Sequence, residues 1–193
     1  MIWINIFKMK NLTPWDFIKA DLYRHTGRYS GLLLLKNLIN SNRSFKYTFW
    51  LRLLRCENVA VRFLAKIMHR HLSIKYAIQI PKEVEIGPGL NLGHATSLII
   101  NSTAIIGKNC NLSPFVTIGS NHGRAANVGD NCYIGPSVCL IENVAIGNSV
   151  TIGAGAVVVK DIPDNSTAVG NPAHHFLSKV PACYVFNKGE GVL

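Results

Sequence analysis

Two histidines stand where a repeating sequence breaks step. His94 lies in Leu92-Gly93-His94-Ala95-Thr96, and His122 lies in Ser120-Asn121-His122-Gly123-Arg124. A neutral imidazole takes up a proton near pH 7 and gives it back, so a histidine that substrate can reach is a candidate general base. Arg124, beside the second histidine, carries a guanidinium that suits carboxylate and phosphate oxyanions. A third segment, Gly153-Ala154-Gly155-Ala156, offers small side chains and accessible backbone along which a slender ligand can lie. The remaining histidines are weaker candidates. His69 and His71 are two apart on a helix and point to different faces. His174-His175 reads as a solvated turn, and His25 sits near a helix end, where a cation is mildly favoured. Up to the last hexad at Val158 the repeat holds only His94 and His122, at a spacing unsuited to a three-histidine zinc site, so no metal is expected.

The element that must position these groups is a six-residue repeat. Aliphatic residues recur in the unbroken series Val128, Ile134, Leu140, Ile146, Ile152 and Val158, preceded by Ile106, Leu112, Ile118 and by Ile86, Leu92. Small or β-branched residues follow four places later, as at Cys110, Val116, Cys132, Val138, Val144, Val150 and Ala156. A period of six fits neither a helix nor a flat strand. It fits short strands separated by tight turns and wound into a triangular coil, with the aliphatics stacked as an apolar column. Twelve hexads make about four coils. The two departures from the period are Leu92 to Ile100, eight residues, and Ile118 to Val128, ten. Insertions emerge at corners because stacked faces tolerate none. Counting faces in threes puts His94 at one corner and His122 at another. Within one subunit they do not easily share a site, whereas between neighbouring subunits of a trimer they could.

The repeat, over roughly residues 80–175, resembles that of the hexapeptide acyltransferases. The resemblance implies an α+β chain in which a helical N-terminal region precedes a left-handed parallel β-helix, a hand that breaks the usual crossover rule. It also implies a homotrimer. Ile86-Gly87-Pro88-Gly89 followed by Gly93-His94-Ala95-Thr96 is similar to the catalytic segment of serine acetyltransferase and its relatives. The segments Phe45-Lys46-Tyr47-Thr48-Phe49 and His71-Leu72-Ser73-Ile74-Lys75-Tyr76 resemble acetyltransferases of polysaccharide biosynthesis. By this resemblance His94 is the catalytic base and acetyl-CoA the acyl donor. The pantetheine arm lies along Gly153 and Ala154. Lys160 and the Gly170-Asn171-Pro172-Ala173 turn match the family's closing motif near the CoA nucleotide, and Lys179 faces a phosphate. His122 and Arg124 fall where the family carries a second histidine within Asp-Arg-His-Pro, and are assigned to substrate binding.

Three departures bear on the acceptor. The family's aspartate before the catalytic histidine is here Gly93, which removes a partner for an ammonium group. The helical region is shorter than in serine acetyltransferases, and the chain ends Val192-Leu193 where the family has a terminal isoleucine. The expectation is therefore an O-acetyltransferase acting on a hydroxyl of a sugar or polysaccharide precursor. The alternative is serine O-acetylation in cysteine biosynthesis.

Composition sets the frame. The chain has 193 residues, 48% of them hydrophobic, enough for a substantial core. No apolar run approaches a membrane span. The start, Met1 to Lys10, lacks a signal-peptide core, and a cytoplasmic protein is expected. None of the five cysteines forms a Cys-x-x-Cys pair. Residues 1–80 hold 14 Lys or Arg against 3 Asp or Glu, and residues 81–193 hold 6 against 7. This asymmetry leaves two readings open: solvated basic helix faces, or contact with an anionic membrane or substrate. No nucleic-acid motif is present. The expected organisation is a helical region (1–78), the β-helix (79–175) and a C-terminal cap with a loose tail (176–193). Within the first, Thr13-Pro14-Trp15-Asp16 opens a helix that Gly27 stops. Ser30 or Gly31 opens a second, running to about Asn40. Ser44 caps a third, Phe45–Arg55, with Arg52 and Arg55 at the edge of its apolar face. Asn58 caps a fourth, reaching about His71.

Overall fold

The protein is described by a computed structural model over residues 12–40 and 42–189. The expectations for the first ten residues and for Val192-Leu193 lie outside these described residues. Four helices come first. Helix α1 (Pro14–Thr26) starts on a reciprocal cap in which Asp16 accepts the Thr13 amide at 2.9 Å, and it stops at Gly27, which turns left-handed at φ 68°. Helix α2 (Gly31–Ile39) is capped by Ser30, whose hydroxyl accepts the Leu33 amide. Helix α3 (Arg43–Leu53) corrects the expected cap: Asn42 accepts the Phe45 amide at 3.0 Å, and Ser44 lies buried inside the first turn. Helix α4 (Val59–Tyr76) is capped by Asn58 as read, but it passes His71 because Leu72 and Tyr76 are buried.

The rest is a three-sided parallel solenoid. Strands β1 (Ile78–Gln79), β4 (Leu98–Ile100), β7 (Thr117–Gly119), β10 (Cys139–Ile141) and β13 (Val157–Val158) stack as the first sheet. The second holds β2 (Glu85–Ile86), β5 (Ile105–Ile106), β8 (Asn127–Val128) and β11 (Ala145–Ile146). The third holds β3 (Asn91–Leu92), β6 (Asn111–Leu112), β9 (Tyr133–Ile134), β12 (Thr151–Ile152), β14 (Ser166–Val169) and β15 (His174–Leu177). The register places Ile106 beneath Val128, Leu112 beneath Ile134 and Leu140 beneath Val158, so each hexad aliphatic rests on its counterpart one coil away. All are buried, as are Cys110 and Cys132 in the small inward slot. The stack has about five turns rather than four. β1 begins ahead of the expected handover at Pro81, and Ile162 and β14 extend the far end. Coil spacing leaves no room for some side chains: a Cβ added at Gly87 would lie 2.6 Å from the Lys108 amide nitrogen.

The C-terminal segment is no loose tail within the described residues. β15 returns antiparallel to β14, and the chain then runs back toward the helices. Asn111 donates to the Tyr184 carbonyl at 2.8 Å, the Tyr133 and Tyr184 rings pack at 4.9 Å, and the Gly189 amide donates to Asn109 at 3.0 Å.

One buried ion pair joins helices to solenoid. Arg52, expected at a helix edge, is 6% exposed and donates to both carboxylate oxygens of fully buried Asp21, at 2.8 and 3.1 Å. Asp21 also accepts the Gly89 and Leu90 amides, at 2.9 and 2.8 Å. The Arg52 guanidinium also donates to the Ile86 and Gly87 carbonyls, each at 2.7 Å. Burial pushes the Asp21 carboxyl up, and Arg52 with the two amides pulls it down. Removing one partner of such a pair leaves an uncompensated buried charge. Arg52→Met is therefore expected to cost ~3–5 kcal/mol in urea unfolding. Lys19→Met, which breaks an exposed pair to Asp16, should leave the midpoint nearly unchanged.

Candidate active site

The three edges of the prism divide the candidate residues. The edge from the third sheet to the first carries the His94 turn between β3 and β4, and Gly153-Ala154 between β12 and β13. The Gly170-Asn171-Pro172-Ala173 turn caps that same edge: the Val157 amide donates to the Gly170 carbonyl, and the Ala173 amide to the Val157 carbonyl. The edge from the first sheet to the second carries the His122–Arg124 loop between β7 and β8, and Lys160 after β13. Lys179 lies elsewhere. It follows β15 beside Ser178, whose amide donates to Asn165 on the edge from second sheet to third. One protomer thus gathers His94, Gly153, Ala154 and Pro172 along one edge, Lys160 with His122 and Arg124 along another, and Lys179 on the third.

His94 is held outward by its backbone. The turn is anchored by the Gly93 amide on the Leu112 carbonyl (2.8 Å) and the Ser97 amide on the Tyr76 carbonyl (2.9 Å). Ala95 is fully buried as its plug. His94, Ala95 and Ser97 all adopt left-handed conformations, at φ 56°, 41° and 51°. Single left-handed residues recur at the solenoid's other turns, as at Asn109, Phe115, Asn131 and Ser137; this turn carries three within four positions. The His94 side chain is exposed, and among the described residues no protein group holds its imidazole. It borders a cleft of about 420 Å³ walled also by His25, Arg43, Ser44, Asn91 and Thr96. The helices therefore supply one wall. Ser44 binds that wall to the solenoid by accepting the Leu92 amide at 3.0 Å. His25 stands 3.2 Å from the Ser44 hydroxyl and edge-on to Phe45. Burial, aided by the neighbouring Arg24, lowers His25 to about 4. The helix-end cation expected at His25 is thus a neutral imidazole near pH 7: the loss of hydration exceeds the help of the helix dipole.

Glu142 organises the second loop and was not among the sequence candidates. Its carboxylate accepts the Ser120 hydroxyl at 2.6 Å and the Asn121 and His122 amides at 3.0 and 3.3 Å. Ser120 sits one coil before Glu142, so the stacking register was the available signal. His122, Gly123 and Arg124 are exposed beyond this anchor.

Comparisons with known proteins bear on these edges. Residues 125–160 match the family profile described as bacterial transferase hexapeptide (six repeats). This stretch, β8 to β13 of the solenoid, is similar to the hexapeptide repeat of bacterial transferases. Mitochondrial serine acetyltransferase 3 of Arabidopsis thaliana is 38% identical over 116 residues, covering 58% of this chain and 30% of the relative. The Escherichia coli serine acetyltransferase is 29% identical over 150 residues, covering 76% of this chain and 53% of the relative. The chain thus spans between about a third and a half of the curated relatives it matches. Soybean serine acetyltransferase complexed with serine superposes with a TM-score of 0.71 at 28% identity, covering 91% of this chain and 74% of that one. These relatives correct the expected sugar or polysaccharide acceptor. That expectation rested on single departures, Gly93 above all, whereas the likeness to serine acetyltransferases runs through both the helices and the coils.

Hydrogen bonds from Ser120 and the loop amides hold Glu142 below the usual carboxylate range. A lowered carboxyl stabilises the anchored loop above the ordinary carboxylate range, and the effect is lost as pH falls through the lowered value. Hydrogen exchange at the Asn121 and His122 amides, relative to buried solenoid amides, is expected to rise on that acid side. Glu142→Gln should raise it at neutral pH as well.

Proposed function

We propose that this chain is an acetyl-CoA-dependent serine O-acetyltransferase with His94 as general base. The observation that carries the proposal is His94 itself: an exposed imidazole on an anchored turn at the mouth of the cleft between helices and solenoid. The serine acetyltransferase relatives support the acceptor and the donor. Neutral His94 accepts the proton of the serine hydroxyl as its oxygen attacks the thioester carbonyl. The tetrahedral oxyanion collapses, the carbon–sulfur bond breaks, and the imidazolium returns its proton to the departing thiolate. The products are O-acetylserine and CoA. Gly153, Ala154 and Pro172 share the His94 edge and form the groove for the pantetheine arm.

His122, Arg124 and Lys160 reach a reacting centre only in an assembly. In a homotrimer the second edge of one protomer lies beside the first edge of the next, bringing this loop to the neighbour's His94. Arg124 and Lys160 then meet the acceptor or a CoA phosphate, and Lys179 serves a phosphate from its own edge. Anionic lipid is the further partner. Helix α4 carries Arg62, Lys66, Arg70 and Lys75 with no acid, and exposes Val59, Phe63, Leu64 and Ile67. Such a basic amphipathic face suits a membrane surface. Among the described residues no helix is long and apolar enough to cross a membrane.

His94→Asn is expected to lower thiol release from acetyl-CoA in the presence of L-serine by ~10²–10⁴-fold without moving the melting temperature. Turnover near the wild-type level would remove His94 from the base role. Co-sedimentation with vesicles should require anionic lipid and weaken in salt, and Lys66→Glu with Arg70→Glu should abolish it. Vesicle-independent self-association through the same face would assign α4 to a second copy instead.

A further inference from the structure

Charge is unevenly placed around the His94 cleft. Among the described residues lining it there is no carboxylate. Asp21, the acid nearest in sequence to the cleft residue His25, is fully buried and spent on Arg52, Gly89 and Leu90. His25 is engaged with Ser44, and Ser44 in turn holds the Leu92 amide. Arg43 differs from these wall residues. It opens α3 on the cleft, is exposed, and forms no ion pair with any described residue. Its guanidinium lies 5.6 Å from the centre of the Tyr76 ring, which backs the cation without neutralising it. An arginine fork so placed matches a carboxylate in two parallel hydrogen bonds. Within one protomer's described residues, nothing lining the cleft offers an ammonium ion a comparable partner.

We propose that Arg43 holds the acceptor by its carboxylate, and that the site demands this carboxylate. The acceptor class is then the small β-hydroxy carboxylate. This deepens the serine reading and rests on it.

The test uses two masked acceptors and one variant. N-acetyl-L-serine keeps the carboxylate and blocks the amine, and L-serinamide does the reverse. Wild-type enzyme is expected to acetylate L-serinamide at least ~10-fold less well than L-serine, with N-acetyl-L-serine as the comparison that keeps the carboxylate. Arg43→Gln should raise the KM for L-serine by ~10–100-fold, the loss expected for a charge-assisted hydrogen bond, with kcat and the KM for acetyl-CoA nearly unchanged. A raised KM for acetyl-CoA with an unchanged KM for serine would place Arg43 on a CoA phosphate and overturn the proposal. So would a preference for L-serinamide. If wild-type enzyme transfers nothing to serine, the serine reading fails on its own, and calorimetry with sodium glycerate still decides the subsite. Glycerate binding lost in Arg43→Gln supports it, and binding equal in both, or absent from both, refutes it.

Discussion

The Asp21–Arg52 pair is the constraint from which the candidate site follows. Neither residue is affordable alone in the interior, since each charge is almost wholly removed from water. Together, with the Gly89 and Leu90 amides and the Ile86 and Gly87 carbonyls, they close a set of hydrogen bonds spanning two helices and the first coil. That closure docks α1 and α3 against the strand leading into the His94 turn. Without it the solenoid would still stack, but the cleft would lose the wall that carries His25, Arg43 and Ser44.

The solenoid contributes a different kind of constraint. Its sheets admit no insertion, so extra residues and the chemistry they bring are expelled to the edges. The eight-residue step makes the His94 turn, and the ten-residue step makes the His122 loop. Because these steps fall on different edges, one protomer cannot assemble both histidines at one acceptor. The anchoring of each is local and complete: Ala95 plugs the first turn, and Glu142 ties the second. Each edge is therefore preorganised, a property that suits a site assembled from two chains.

How far each part was legible depended on whether its cause was local. Thr13, Ser30 and Asn58 could be read as caps because capping is settled within one helical turn. Ser44 could not, because its hydroxyl answers to the Leu92 amide, a partner far along the chain. The same reason explains Arg52, which sequence placed at a helix edge and the structure buries. It explains His25, whose charge is decided by packing rather than by its helix. The acceptor expectation failed in a related way: a single missing carboxylate at Gly93 was weighed without the rest of the cleft.

By itself the sequence determined the coil, its inward residues, its two interruptions and the candidate base. Each hexad carries its own inward aliphatic and its own turn, so the pattern repeats in the text as it does in space. Only the tertiary structure decided which groups share an edge, which charges are neutralised by burial, and that a helix-borne arginine faces His94 across a cleft. Those relations join residues dozens of positions apart, and they arise from the docking of helices on coils, which no local period encodes.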